Sequence, residues 1–354
     1  MSIIDKQVQT ARAPSAGEVE IFSTCPQSKD HDRDAYAKQV ADVAVWSEAF
    51  GCKGILVYTD NGIADPWLVS QVIIENTERL SPLIAVQPIY MLPYTAAKMV
   101  SSLAFLHGRR VYLNMLAGGF KNDLIALDDQ TPHDDRYKRT TEYTLILRRL
   151  LESQGPVTFE GDYYRVHGLR MTPPVPPELM PGILISGSSE AAMEAAVAIQ
   201  ATAIKYPKPP GEEAGVPADS PVDCGVRVGI IAREDRDEAW HVGLERFPED
   251  RRGQLEHGLA MKVSDSVWHK QLSENDGQGQ IGGQGSDNPY WLGPFQNHKT
   301  FCPYLVGTYD RVASELADYI TKGYRTFILD IPPSYEELEH TGKVFEMAKA
   351  KVAA

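Results

Sequence analysis

The sequence is poor in the features that would tie it to a membrane, a nucleic acid, a metal or a disulfide framework. Its 354 residues include four cysteines, Cys25, Cys52, Cys224 and Cys302, none in a C-x-x-C pair. Neither a zinc site nor a crosslinked scaffold is indicated, and a reducing cytoplasm fits. Positive charge is scarce: 35 Lys and Arg stand against 48 Asp and Glu, a formal charge of −13. Such a balance repels phosphate backbones and anionic lipid, so no nucleic-acid or membrane partner is expected. No apolar run is long enough to cross a bilayer. Residues 1–17 mix charge with Ala, Pro and Ser, lack the apolar stretch of a signal peptide, and read as a flexible tail. A G-x-G-x-x-G turn after a strand is missing, as is G-x-x-x-x-G-K-[ST], which leaves no dinucleotide fingerprint and no phosphate loop.

What the chain does have is 43% hydrophobic residues, enough for a sizeable core, and a repeating rhythm. Short apolar runs read as strands at 18–25, 54–58, 83–87, 111–116, 182–186, 201–206, 225–232 and 326–330. Between them, helical spacing predicts helices over 30–50, 66–77, 93–106, from 134 to about 151, 188–199, 235–247, 309–322 and 336–349. Residues 117–133 read as a loop, polar after Asp123. Two stretches break the rhythm. Residues 155–177 have strand composition around a Gly-Asp turn and then a proline-rich run, which predicts an inserted hairpin. Residues 250–300 show little periodicity and carry a Gly/Gln-rich centre from Asp276 to Gly285, which reads as a lid-like insertion whose flanks, 263–268 and 290–295, dock when a ligand fills the site. Eight buried strands alternating with helices predict an α/β fold, a (β/α)8 TIM barrel over 18–354 with these insertions.

The organising stretch is the strand from Val111 to Leu116. Asn114 sits inside it, and a buried amide costs about 1–3 kcal/mol unless a protein group or a ligand hydrogen-bonds it. In a barrel, the strand ends at Thr59-Asp60, Gln87, Asn114, Ser186 to Ser189, Tyr206 and Arg227 would face one mouth.

Several segments, in order and in spacing, resemble the bacterial luciferase-like monooxygenases: Gly54-Ile-Leu-Val-Tyr-Thr with Asp65-Pro-Trp-Leu-Val, Asn114-Met-Leu-Ala-Gly, Arg136-Tyr137, Phe159-Glu-Gly-Asp-Tyr, Gly187-Ser-Ser and Leu305-Val-Gly-Thr-Tyr. The branch most similar holds alkanesulfonate and pyrimidine monooxygenases. The resemblance implies reduced FMN delivered by a separate NAD(P)H-dependent flavin reductase, O2 used through a flavin (hydro)peroxide, a small organic substrate, and a homodimer or homotetramer. Matched position by position, it places Thr59, Asp60, Asn114 and Asp123 near the flavin ring and ribityl chain, and Arg136, Tyr137, Ser188 and Ser189 at the phosphate. Five of these also have a plain structural explanation: a serine N-cap for Ser188 and Ser189, a helix-start pair for Arg136 and Tyr137, and a satisfied buried amide for Asn114. A non-catalytic flavin-binding protein and a deazaflavin-dependent oxidoreductase are the alternative readings.

The substrate side departs from the branch it resembles. Where the alkanesulfonate enzymes carry a histidine two residues after a strand-seven arginine, this chain has Gly229 after Arg227. Ile63, Pro332 and about His298 stand where that branch has cysteine, tyrosine and a lid arginine. A simple alkanesulfonate is therefore not expected. Trp67, Tyr206 and Arg227 are candidates for the substrate pocket, with packing or an internal ion pair as the alternatives. His298, His133 and Arg227 are candidates for acid–base or catalytic roles.

Overall fold

The computed structural model describes residues 18–354 apart from 119–120, 210 and 264–286. In chain order the first half runs β1 (Glu20–Thr24), α1 (Arg33–Phe50), β2 (Gly54–Val57), α2 (Pro66–Glu75), β3 (Ser81–Val86), α3 (Pro93–His107), β4 (Tyr112–Met115), α4 (Lys121–Ala126) and α5 (His133–Glu152). Next come β5 (Val157–Glu160) and β6 (Arg165–Leu169), paired antiparallel, then β7 (Gly182–Ser186), α6 (Glu190–Ile199) and β8 (Thr202–Lys205). The last third contains β9 (Cys224–Arg233), α7 (Arg236–Arg246), α8 (Arg251–Val263), β10 (Tyr290–Trp291), α9 (Gly293–Gln296), β11 (Tyr304–Thr308), α10 (Tyr309–Thr321), β12 (Thr326–Leu329) and α11 (Tyr335–Ala353).

Eight of the strands pair in parallel in the order β1-β2-β3-β4-β7-β8-β9-β12, and β12 returns to β1. This is a closed (β/α)8 barrel, and all eight expected strands take part. Helix punctuation follows the sequence. Gly51 and Gly108 close α1 and α3 in the left-handed conformation, at φ 93° and 60°, which glycine adopts without steric cost. Asp65 caps α2 by accepting from the Trp67 and Leu68 amides.

Strand alternation decides what fills the barrel. One residue from each of seven strands, Phe22, Leu56, Leu83, Tyr112, Leu184, Ile204 and Ile328, forms an apolar cluster in the lumen. Neighbours of opposite parity, such as Ile55, Val57, Val226 and Val228, pack instead with the helices. Two residues further along each strand the side chain returns to the lumen.

The structure differs from the sequence reading in four places. The loop at 117–133 contains α4, whose six residues are too few to give a clear period. Residues 250–300, read as aperiodic, begin with the thirteen-residue α8, whose exposed Leu255 and Leu259 weaken the amphipathic signal. β11 was unanticipated, because Leu305 and Val306 are too short a run between Pro303 and Gly307 to stand out. The flank 290–295, expected to dock on ligand binding, is already packed, with Tyr290 and Phe295 buried and the Tyr290 hydroxyl donating to the Pro207 carbonyl at 2.9 Å. The tail 1–17, the flank 264–268 and the Gly/Gln-rich centre 276–285 lie outside the described residues.

Candidate functional site

One step above the apolar lumen cluster, the strands change character. Thr24, Tyr58, Asn114, Ser186, Tyr206 and Asp330 each lie two residues beyond a member of that cluster, and β9 adds Arg227, whose register partner is Ile328. The lumen thus ends in a polar layer at the carboxyl mouth, where barrel sites are built. Its members bind one another. Ser186 Oγ donates to Asn114 Oδ1 at 2.9 Å across β4 and β7, which supplies the partner that the buried amide needs. Thr24 Oγ1 donates to the Leu329 carbonyl at 2.6 Å.

On the opposite side of this layer Arg227 stacks its guanidinium over the Tyr58 ring at 4.9 Å, a favourable cation–π arrangement. Its Nη2 lies 3.9 Å from Asp330 Oδ1, beyond hydrogen-bond reach. Asp330 instead accepts from the Tyr304 hydroxyl at 2.8 Å. Burial, together with Asp330 and Cys302, pushes the Tyr304 phenol well up, so it stays a neutral donor. The Tyr304 ring lies against Gly229: a Cβ there would meet the ring at 2.3–2.5 Å. Tyr206 is buried, and burial followed by Cys302 and Asp330 also raises its phenol.

A second group sits at the junction of β7 and α6. Ser189 is the N-cap of α6 and its Oγ accepts from the Ala192 amide at 3.2 Å. Ser188 Oγ is buried with no hydrogen-bond partner. Between this serine and the strand, Gly187 leaves a notch: a Cβ would come within 2.4 Å of the Tyr137 hydroxyl and 2.8 Å of the Ala192 Cβ. Tyr137 therefore points its hydroxyl at the turn that precedes α6. The adjacent Arg136 is buried and donates from Nη1 to the Thr131 carbonyl at 2.9 Å. The turn before α5 is braced by Asp129, which accepts from Arg139 Nη2 at 2.6 Å and from Thr131 Oγ1 at 2.6 Å. Burial alone would raise the Asp129 carboxyl, but the hydrogen bonds from Arg139 and Thr131 outweigh it and bring it down to about 2.

A third group lies on the rim after β2. Asp60 Oδ1 accepts from the Gly62 amide at 2.6 Å, Asn61 Nδ2 donates to the Asp123 carbonyl at 3.1 Å, and the Tyr90 hydroxyl donates to Asn61 Oδ1 at 2.7 Å. Burial and then Asp60 raise the Asp123 carboxyl. Burial, with Asp123 and Asp60, pushes Tyr90 up to about 12. Asp60 and Asp123, 63 positions apart in sequence, are thus close enough to feel each other's charge. Thr59 stands beside them, partly exposed.

The structure sorts the remaining candidates. Trp67 is buried in the core cluster that also holds Ile74, Val86 and Ala97, which accounts for it without a ligand. His133 sits at the start of α5 with Nδ1 2.7 Å from Asp134 Oδ1 and its ring on Tyr137. His298 lies over the mouth in the left-handed conformation, φ 57°, with its ring near Phe301 and His257. Burial, then Lys29, lowers its pKa. Phe301 in turn meets Tyr58 edge-on at 5.9 Å, so His298 reaches the polar layer through an aromatic contact. Sequence reasoning placed Ser186 at the mouth but missed Tyr58, Tyr304 and Asp330 as members of the site. Two of these three had a signal, since Tyr58 and Asp330 each sit at a strand end with the parity of the lumen residue two positions before it. Tyr304 had none, being on an unanticipated strand.

Residues 18–326 match the model of the luciferase-like monooxygenases. The chain belongs to that family. A curated relative, the 4-(γ-L-glutamylamino)butanoyl-[BtrI acyl-carrier protein] monooxygenase BtrO of Niallia circulans, is 35% identical over 317 residues, 88% of this chain and 91% of the relative. Among solved structures, the riboflavin lyase RcaE, crystallised with modified FMN and riboflavin, superposes with a TM-score of 0.72 at 15% identity, covering 95% of this chain and 93% of the other. The EDTA monooxygenase EmoA of Chelativorans sp. BNC1 gives 0.68 at 14% identity, with 95% of each chain covered. These likenesses confirm the barrel as that of the family. Within it this chain is a monooxygenase that fills the space over Gly229 with Tyr304.

Proposed function

We propose that the protein is a two-component monooxygenase that takes reduced FMN from a separate NAD(P)H-dependent flavin reductase and uses O2 to oxygenate a small polar organic substrate. The observation that carries this reading is the turn before α6. Ser188 Oγ is buried without a partner, beside a glycine notch into which the Tyr137 hydroxyl points. Two hydroxyl donors and the amides of a helix N-terminus suit a phosphate dianion, so these residues fit the phosphate of FMN. Ser188 and Tyr137 would hold that phosphate, with Ser189 shaping the turn as its cap. Thr59, Asp60 and Asp123 form the rim along which the ribityl chain would run, and the Asn114–Ser186 pair would face the ring.

Reduced FMN, when bound, supplies the electrons by which one oxygen atom of O2 enters the substrate and the other leaves as water. The chain's own part is to bind, orient and exclude water. The apolar lumen cluster closes the site from below, and Tyr58 of the polar layer continues into Phe301 and His298 through edge-on aromatic contacts. On the substrate side, Tyr304 occupies the space into which a longer residue 229 would project, so the sulfonate-binding set of the alkanesulfonate enzymes is not rebuilt here. The substrate we extend from the BtrO relative is limited to its class, a polar acyl compound.

Anaerobic titration of the protein with reduced FMN, FMN, reduced deazaflavin and NADH, followed by oxygen, tests the reading. Reduced FMN should bind tightest, and a reductase with NADH should support oxygen-dependent product formation across a panel of polar acyl compounds. NADH binding as tight as reduced FMN would remove the two-component reading. Release of hydrogen peroxide alone with every compound would favour a non-catalytic flavin-binding protein, and tighter binding of reduced deazaflavin would favour the deazaflavin class.

A further inference from the structure

The chain on either side of Tyr206 is held by a buried carboxylate from the loop that follows it. β8 delivers Ile204 to the apolar lumen cluster, so Lys205 turns outward and Tyr206 returns to the mouth. Lys205 is in register with Val226 on β9, which sets Tyr206 abreast of Arg227. Outside the barrel, Glu213 is only 4% exposed. Its Oε1 accepts from Lys205 Nζ at 2.5 Å, on one side of Tyr206, and its Oε2 accepts from the Lys208 amide at 2.8 Å, on the other. The Tyr324 hydroxyl also donates to Oε1, at 2.7 Å. Two further buried phenols take carbonyls of the same short segment: Tyr290 donates to Pro207 at 2.9 Å and Tyr319 to Lys208 at 3.3 Å. Burial raises all three phenols, so they stay neutral donors.

Such a clamp is a poor way to add stability. Taking a carboxylate out of water is costly, and replacing a buried ion pair by apolar side chains of similar volume is often neutral or stabilising. What a fully hydrogen-bonded buried charge adds is a fixed geometry. Here four bonds converge on residues 205–208. Tyr206 is the member of that segment that enters the polar layer, where Cys302 and Asp330 act on its phenol. The structure assigns Glu213 as a positioning residue for Tyr206, with Tyr290 as the second hold: together they fix the phenol beside Arg227 at the mouth. The assignment rests on the reading of the mouth as the active site, and it adds how one wall of that site is held in place, by groups that stand outside the polar layer.

The test is fluorine NMR of the full-length, flavin-free protein carrying fluorotyrosine at position 206 alone, with a second preparation labelled only at Tyr143, which lies in a different core cluster. One resonance is expected for each label in the wild type. Glu213→Gln keeps the side-chain volume but leaves one acceptor oxygen where there were two, and Tyr290→Phe removes the hold on Pro207. Each should displace or split the Tyr206 resonance and leave that of Tyr143 in place. Tyr324→Phe removes another buried hydroxyl, one that bonds Glu213 and the Ala214 carbonyl but none of residues 205–208; it should lower the midpoint in urea yet displace the Tyr206 resonance less than either of the other two. A Tyr206 resonance unmoved by both Glu213→Gln and Tyr290→Phe, or displaced as far by Tyr324→Phe, or matched by an equal movement at Tyr143, overturns the assignment. Should Glu213→Gln fail to fold, Tyr290→Phe against Tyr324→Phe decides it. Failure of the flavin reading is separate: the measurement uses no flavin, so an absence of saturable FMN binding leaves its result as it stands.

Discussion

Replacing Ser188 and Ser189 by alanine, one at a time, separates a ligand-binding hydroxyl from a helix cap on adjacent residues. Ser189 Oγ already accepts from the Ala192 amide, and losing an N-cap of this kind costs about 0.5–2 kcal/mol of fold stability. Ser188 Oγ has no partner to lose; in the free protein its removal relieves a buried hydroxyl of a desolvation cost of about 1–3 kcal/mol, offset in part by the small void left. Ser188→Ala is therefore expected to leave the free protein as stable or slightly more stable, while Ser189→Ala lowers its midpoint in urea. Binding should divide the opposite way. A hydrogen bond to a charged phosphate contributes about 1.5–3 kcal/mol, so Ser188→Ala should weaken FMN by roughly tenfold to a hundredfold. Riboflavin, which lacks the phosphate, should bind nearly as before. Flavin fluorescence titrations give both affinities, and urea melts give both stabilities. If Ser188→Ala weakens FMN and riboflavin equally, or destabilises the free protein as much as Ser189→Ala, the phosphate assignment is wrong and both serines serve only the helix.

Gly187→Ala places a methyl 2.4 Å from the Tyr137 hydroxyl, so it should cost about 1–3 kcal/mol by overpacking and weaken FMN more than riboflavin; unchanged affinity for both would show that the notch is not a ligand cradle. Asp129 is held at about 2 against an ordinary 3.8, so its ionised form stabilises the fold above the ordinary value and the contribution disappears as pH falls through about 2. Asp129→Asn should accordingly lose about 2 kcal/mol at neutral pH and almost nothing near pH 2; a difference independent of pH in urea melts would contradict the assignment of this shift to Arg139 and Thr131. Tyr304→Phe leaves Asp330 Oδ2 without the donor it now has at 2.8 Å, which should cost about 1–3 kcal/mol of stability with FMN affinity unchanged; an FMN affinity that falls in step would place Tyr304 in the flavin site instead.

The sequence by itself determined the barrel. Strand and helix signals repeat locally, each within about ten residues, and burial on both faces of a parallel strand writes itself as a short apolar run such as Gly54 to Val57. Capping chemistry is equally local, so Asp65, Gly51 and Gly108 end or begin helices where expected. The sequence also singled out Asn114, Tyr206 and Arg227 for residue type and position at strand ends. What only the tertiary structure decided is which of these meet. Ser186 satisfies Asn114 across a register set by the closing of the sheet, and Tyr58 reaches Arg227 from the strand after α1, 169 positions earlier. The roles of Ser188 and Ser189 were indistinguishable as letters; backbone direction at the turn gave one a cap partner and the other none. Tyr304 was invisible for a plainer reason. Its strand is short, and its place over Gly229 depends on pairing between β9 and β11, segments that lie far apart in the chain and carry no local trace of each other.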